Sequence, residues 1–124
     1  MEQLTKNFNL NEFRCKDGTQ VPENLLSNIQ NLAQQLQVIR DHLGEPVYIN
    51  SGYRTPSYNK KIGGVNESQH VNAKAADIKV KGKSPKQLAV EIEKLITEGK
   101  VKIGGIGIYP SFVHVDTRLK KARW

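Results

Sequence analysis

The chain has 124 residues, a length that fits one domain, and 37% of them are hydrophobic, as in ordinary globular proteins. Nineteen lysines and arginines against 12 aspartates and glutamates give a net charge of +7, which favours anionic partners such as nucleic acid, anionic lipid or an acidic cell-wall polymer. No run of about 18 apolar residues occurs, so we expect no membrane-spanning helix, and the lone Cys15 excludes an internal disulfide and a thiolate zinc finger.

The N-terminus and the spread of charge limit the expected location and partners. MEQLTKNFNLNEF has no cationic segment followed by an apolar one, so we expect no signal peptide. Basic residues are scattered, apart from KVKGK (79–83) and RLKKARW (118–124), and no RNA-binding aromatic signature or zinc-finger spacing accompanies them. We therefore expect no nucleic-acid partner. Without repeats or a low-complexity linker, the sequence predicts a single monomeric domain over residues 1–124.

A long amphipathic helix is the first predicted element. Apolar residues recur at steps of three and four from Leu25 to Leu43, and Gly44 ends the pattern. VYIN (47–50) then indicates a buried strand. The next segment, SGYRTPSYNKKIGG (51–64), has strong helix and strand breakers at both ends and room for one helical turn between them.

A second helix and two strands follow. SPKQLAVEIEKLITEG (84–99) is typical of a helix, and Ser84 with Gln87 makes a capping-box pattern at its start. GGIGIY (104–109) and FVHVDTR (112–118) indicate two neighbouring strands. Two helices and several short strands in mixed order predict an α+β domain with a small, mainly antiparallel sheet.

The segment SQHVNAKAADI (68–78) sets His70 and Asp77 among small residues. In a helix the two would lie about 10 Å apart, and in a straight strand further apart on opposite faces, whereas metal–ligand bonds are about 2 Å long. Joint ligation of one ion therefore requires a turn after His70, for which Asn72 is suitable, and a strand starting near Lys74. From this segment alone, a metal site and a surface histidine near an unrelated carboxylate remain equally open.

The strand FVHVDTR offers a third candidate ligand. Alternation places Phe112, His114 and Asp116 on one face of the strand. Two histidines and one carboxylate, with a fourth position for water, make a catalytic zinc arrangement, while the alternative is a surface strand carrying a His–Asp ion pair. Arg54 lies in a loop after a strand, where it is either a solvated surface residue or a group that stabilises negative charge on a substrate oxygen.

Three segments in this order resemble peptidase family M15, the zinc D-alanyl-D-alanine carboxypeptidases and murein endopeptidases, which include phage endolysins. The segments are SGYRTPSYN, SQHVNAKAADI and GGIGIYPSFVHVDTR. The resemblance runs from about Phe8 to Trp124, and NFNLNEFRCKDG is similar to the opening of the small single-domain branch. It implies the hedgehog/DD-peptidase fold, with helices flanking the sheet. It also implies hydrolysis of peptide bonds in peptidoglycan, in the periplasm, outside the cell or by a phage endolysin released from the cytoplasm.

The resemblance implies roles for individual residues as well. His70, Asp77 and His114 match the three protein ligands of one zinc ion. Arg54 matches the arginine that polarises the scissile carbonyl or its oxyanion and so binds substrate. Ser68, two residues before the first ligand, matches a position that helps to hold the substrate.

The sequence departs from the family pattern at two places. The glycine often found three residues after the first ligand is Ala73, and the acidic residue that serves many members as general base is absent from residues 110–113. Asp116 is the first candidate for the base, although it could instead orient a ligand or pair with Arg118. Glu67 is the second candidate. The missing acid makes a catalytically inactive zinc-containing cell-wall or protein-binding module the alternative function.

Overall fold

The helices and strands follow one another in mixed order along the chain. A computed structural model describes residues 2–124, in which there are three α-helices, five strands and two short 3-10 helices, Leu10–Phe13 and Glu23–Leu25. The α-helices are α1 (Leu26–Leu43), α2 (Pro56–Lys61) and α3 (Pro85–Thr97). The strands are β1 (Val47–Ser51), β2 (Ala75–Val80), β3 (Gly105–Ile108), β4 (Val113–Asp116) and β5 (Ala122–Arg123). Within this part of the chain no helix is long and apolar enough to span a membrane.

The five strands form one sheet in the order β1-β2-β4-β3-β5. Neighbouring strands are antiparallel, except that β3 and β5 run parallel. This arrangement confirms the predicted α+β class and the mainly antiparallel sheet. It also contains β5, which the sequence does not predict because two residues are too few to show an alternating pattern.

Both long helices form where the periodicity predicts them. The middle of the apolar stripe of α1, from Ile29 to Ile39, is buried, and Gly44, with φ of +67°, ends the helix by donating its amide to the carbonyl of Arg40. At the start of α3, Ser84 and Gln87 make both hydrogen bonds of the capping box. These local signals agree with the burial of each helix, so sequence and packing specify the same boundaries.

One face of the sheet packs against the helices to form the core. The apolar residues of that face are buried together with the stripes of α1 and α3; they are Ala76, Ile78, Val80, Ile106, Val113 and Val115. The predicted buried strand at 47–50 is wrong in part, because β1 lies at the edge of the sheet and Tyr48 is 56% exposed. Only Val47 of that strand is buried.

The opposite face, which we call the site face, carries three of the residues predicted for the site, Asp77, His114 and Asp116. Directly paired residues of antiparallel strands project from the same side of a sheet. Asp77 of β2 pairs with His114 of β4, which in turn pairs with Gly107 of β3. Tyr48 pairs with Lys79 on the same face, towards the β1 edge. The alternation predicted for residues 112–118 is confirmed within β4, where Val113 and Val115 enter the core while His114 and Asp116 do not; the strand itself is shorter than predicted, since it covers only Val113–Asp116.

Candidate metal centre

His70, Asp77 and His114 come together on the site face, and all three are buried. Each offers a donor atom, and the three donor atoms lie within 4.8 Å of one another. Asp77 Oδ1 is 3.2 Å from His70 Nε2 and 3.2 Å from His114 Nδ1. Residues separated by as many as 44 positions in the sequence thus converge on one carboxylate oxygen.

The spacing and chemistry of these donors fit a zinc ion. Zinc bonds to imidazole nitrogen and carboxylate oxygen are about 2.0–2.2 Å long, so adjacent ligands of a tetrahedral ion lie about 3.3–3.6 Å apart. Both distances from Asp77 Oδ1 are 3.2 Å, close to that separation. Two imidazoles and one carboxylate also leave a fourth position free, as catalytic zinc sites do. The three residues could therefore hold one zinc ion.

His70 reaches Asp77 because the chain turns sharply between them. The amide of Ala73 donates to the carbonyl of His70 at 3.2 Å, and Ala73 has a φ of +56°. This left-handed conformation redirects the chain into β2, which begins two residues later. The turn, which includes Asn72, and the extended approach to Asp77 are as predicted.

Backbone contacts orient the His70 ring. Its Nδ1 lies 2.7 Å from the carbonyl oxygen of Gly52, and because a carbonyl only accepts, Nδ1 carries the proton and Nε2 is left for a metal. Gly52 packs tightly against the end of the first 3-10 helix. A side chain would not fit there, because a Cβ on Gly52 would lie 2.9 Å from backbone atoms of Phe13. Ser68 holds the same loop by accepting the His70 amide on its Oγ at 3.2 Å.

His114 is held from behind by Asp116. Asp116 Oδ2 accepts from His114 Nε2 at 2.7 Å, which leaves Nδ1 as the nitrogen that faces Asp77. Arg118 donates Nε to Oδ1 and Nη2 to Oδ2, each at 2.8 Å, so both carboxylate oxygens are occupied. Asp116 is 0% exposed. This placement favours the orienting role of Asp116 over the base role, because the His114 ring separates its carboxylate from the candidate ligand atoms.

Neighbouring side chains keep both buried carboxylates ionised. Burial raises the pKa of Asp77, but its close contacts with the rings of His114 and His70 outweigh burial and hold that pKa well below the usual range. The pKa of Asp116 is likewise raised by burial and held well below its usual range by the hydrogen bonds of His114 and Arg118. Asp77 is thus available as an anionic ligand, and Asp116 is available to accept the hydrogen bond from His114.

Arg54 lies beside the three candidate ligands rather than in solvent. Its Nη2 is 3.4 Å from Asp77 Oδ2, and its Nη1 donates to Asn59 Oδ1 at 3.2 Å. Asn59 is itself buried and donates to the carbonyl of Val65 at 2.7 Å. The guanidinium is therefore fixed at the edge of the site, with its position set by the α2 segment.

The C-terminal residue completes the wall behind His114. The ring of Trp124 lies 5.0 Å from that of His114, and its Nε1 donates to the hydroxyl of Tyr109 at 2.8 Å. No motif in the sequence predicts this role for Trp124. The two glycines of β3 could have indicated it, because the absence of side chains at Gly105 and Gly107 leaves the space that the Asp116 carboxylate and the Trp124 ring occupy. A strand with glycine at alternate positions indicates close approach by another group.

A cleft of about 410 Å³ opens over the three candidate ligands. Besides these ligands it is lined by Arg54, Ser68, Glu67, Phe112, Tyr109 and Trp124, among others. Glu67 is exposed, and apart from Asp77 it is the one carboxylate among the described residues that line the cleft. All the residues predicted for the site line this cleft except Asp116, which lies behind it.

The match to known families covers nearly the whole chain. A protein-family model described as Peptidase M15 matches residues 4–116. The matched region includes the three candidate ligands, Arg54 and Ser68, whereas Trp124 lies beyond it. A search among curated proteins finds no significant match.

Proposed function

The chain belongs to the peptidase M15 family, and we propose that it is a zinc metallopeptidase that hydrolyses an amide bond in the stem peptides or cross-links of peptidoglycan. The observation that carries this proposal is the buried group of His70, Asp77 and His114 beneath an open cleft. A net charge of +7 supports retention on an anionic cell wall. The proposed place of action is the cell wall, reached either from the host cell or as a phage endolysin.

His70, Asp77 and His114 are the proposed ligands of one zinc ion. When bound, zinc supplies a Lewis acid that activates water and polarises the scissile carbonyl. The chain contributes the orientation of the ligands: Gly52 fixes the His70 ring through Nδ1, and Asp116 fixes the His114 ring through Nε2. Fixed rings reduce the rearrangement that ligation requires, because the free nitrogens already face Asp77.

Arg54 and Ser68 are proposed to contact the substrate. The Arg54 guanidinium lies next to the ligands, where its charge would stabilise the negative charge that develops on the carbonyl oxygen. Ser68 Oγ accepts from the His70 amide, so its own O–H is free to donate to a substrate oxygen.

The proton of the attacking water needs an acceptor, and the two candidates differ in access. Asp116 is 0% exposed and both its oxygens accept hydrogen bonds. Glu67 is exposed and lines the cleft. We therefore propose Glu67 as the general base, which takes a proton from water and passes it to the leaving amine. Asp116 is proposed as the residue that positions His114.

The alternative function is a zinc-containing binding module without catalytic activity. Two observations favour it: residues 110–113 contain no acid, and Asp116 is engaged by His114 and Arg118. Such a module would bind zinc and peptidoglycan but release no products. Turnover therefore decides between the two functions.

Digestion of purified murein by the zinc-loaded protein tests the proposal, with mass spectrometry of the released muropeptides. We expect new free amines and shortened stem peptides from the wild-type protein and none from His114→Ala. His42→Ala is the matched control, because His42 pairs with Glu91 on α3, outside the site, and should keep full activity. Equal digestion by His114→Ala would overturn the proposal, and zinc binding without any product would support the binding module.

A further inference from the structure

A second cavity of about 260 Å³ lies at the end of β2, beside the start of α3, and we call it the basic groove. It is lined by Tyr48, Ile78, Lys79, Val80, Lys81, Lys83, Pro85, Leu88, Ser111 and Phe112. Phe112 lines the metal cleft as well, so the two cavities adjoin at this residue. A chain lying in the cleft could therefore continue over Phe112 into the basic groove.

The strand register explains why the two cavities adjoin. Lys79 follows Asp77 by two residues on β2, so its side chain leaves the same face about 6.8 Å further along the strand. Phe112 precedes His114 by two residues and shares its face. The basic groove thus begins one side-chain step from the candidate metal ligands, within the length of two residues of an extended peptide.

The charge of the basic groove is uncompensated by the protein. Lys79, Lys81 and Lys83 are all exposed, and none takes part in an ion pair within residues 2–124. The described residues that line the groove include no carboxylate. Three ammonium groups within five residues repel one another, and an anion between them would relieve that repulsion.

We propose that the basic groove binds a carboxylate-bearing segment of the peptide substrate, two to three residues from the bond that is hydrolysed. This proposal rests on the proposed peptidase function and adds its substrate class, an acidic peptide. A carboxylate complements the lysines, and the exposed ring of Tyr48 beside Lys79 offers an apolar surface for the peptide backbone or side chains. Binding through exposed lysines should weaken as ionic strength rises.

Two forms of one substrate test the proposal: isolated muropeptides with free side-chain carboxylates, and the same muropeptides with those carboxylates amidated. The groove variant replaces Lys79, Lys81 and Lys83 with glutamine. We expect the ratio of kcat/KM for the carboxylate form to kcat/KM for the amide form to fall about tenfold, as expected for three solvent-exposed charge pairs.

The control variant replaces Lys6, Lys100 and Lys102 with glutamine, which removes three positive charges from exposed positions outside the two cavities. It should leave the ratio at the wild-type value. An equal fall in both variants would show a general charge effect and overturn the proposal, as would an unchanged ratio in the groove variant.

Binding without turnover separates this proposal from the proposed function. Calorimetric titration of the chelator-treated protein with the two muropeptide forms should give tighter binding of the carboxylate form, and the groove variant should lose that preference. If the zinc-loaded protein releases no products but this preference is present, the peptidase function fails and the groove assignment stands. If the groove lysines instead retain DNA or polyphosphate more tightly than the carboxylate muropeptide, the groove is a phosphate-polymer site and the proposal is wrong.

Discussion

Replacing Asp116 with asparagine separates the two roles that its contact with His114 allows. The side chain keeps its shape but loses its charge, and an amide NH2 replaces one carboxylate oxygen. Both oxygens of Asp116 accept hydrogen bonds from Arg118, one of them also from His114. The new NH2 group must therefore face at least one donor of Arg118 in either orientation, and a buried donor–donor contact results.

The structure sets the size of the expected effects. Hydrogen bonds to charged groups contribute about 1.5–3 kcal/mol, so the loss of one should lower the free energy of unfolding by about that amount. Loss of the acceptor that orients a ligand histidine typically weakens metal binding by about 10–100-fold. Because the proposed base is Glu67, the turnover rate at saturating zinc should stay within about tenfold of wild type. An essential general base, in contrast, contributes about 100–10,000-fold.

Competition with a chromogenic chelator measures the zinc affinity of Asp116→Asn, and muropeptide hydrolysis at saturating zinc measures its turnover rate. Arg118→Gln is the companion variant, since it removes the guanidinium but leaves the carboxylate that accepts from His114, and it should weaken zinc binding less. If Asp116→Asn kept wild-type zinc affinity while its turnover rate fell by about 100-fold or more, as is typical when a general base is lost, the orienting role would be refuted and Asp116 would be the base.

Three further predictions concern the base, the glycine strand and the C-terminal segment. Glu67→Gln should lower the turnover rate by about 100–10,000-fold while zinc affinity stays unchanged, and a near-normal rate would exclude it as the base. Gly105→Ala should lower the free energy of unfolding by about 1–3 kcal/mol in denaturant titrations, because its Cβ would collide with the Asp116 carboxylate; wild-type stability would contradict this packing. The hydrogen bond from Arg123 lowers the pKa of Glu93, so this pair stabilises the fold above the ordinary glutamate pKa of about 4.3 and loses that effect as the pH falls through the lowered value. Glu93→Gln should therefore cost less than about 1 kcal/mol at pH 7 and nothing at strongly acid pH, and a cost that persists in acid would show that charge is not the cause.

The sequence predicts the elements whose side chains repeat with a clear period. The stripe of α1, the capping box of α3 and the alternation of β4 are each visible locally, and each agrees with burial in the fold. The three candidate ligands could be grouped because each is a polar residue among small or apolar neighbours, His70 and Asp77 in SQHVNAKAADI and His114 in FVHVDTR.

Features that depend on distant neighbours could not be predicted in the same way. Whether Tyr48 is buried depends on the position of β1 at the edge of the sheet, which no local pattern fixes. Trp124 reaches His114 only because β5 pairs in parallel with β3. Asp116 likewise has its oxygens occupied only because the side chain of Arg118 turns back towards the end of β4 and donates to its carboxylate. Alternation gives the face of a side chain, but it does not give the partner that the side chain meets.

Titration of the metal-free protein with zinc, while hydrolysis of muropeptides is followed, tests the central claim most directly. We predict that activity is absent without zinc, rises linearly with added zinc and reaches its maximum at one equivalent per chain. Folded His70→Ala, Asp77→Ala and His114→Ala proteins should show neither tight zinc binding nor activity. Full activity before zinc is added, or undiminished zinc binding by these three variants, would contradict a catalytic zinc centre at these residues.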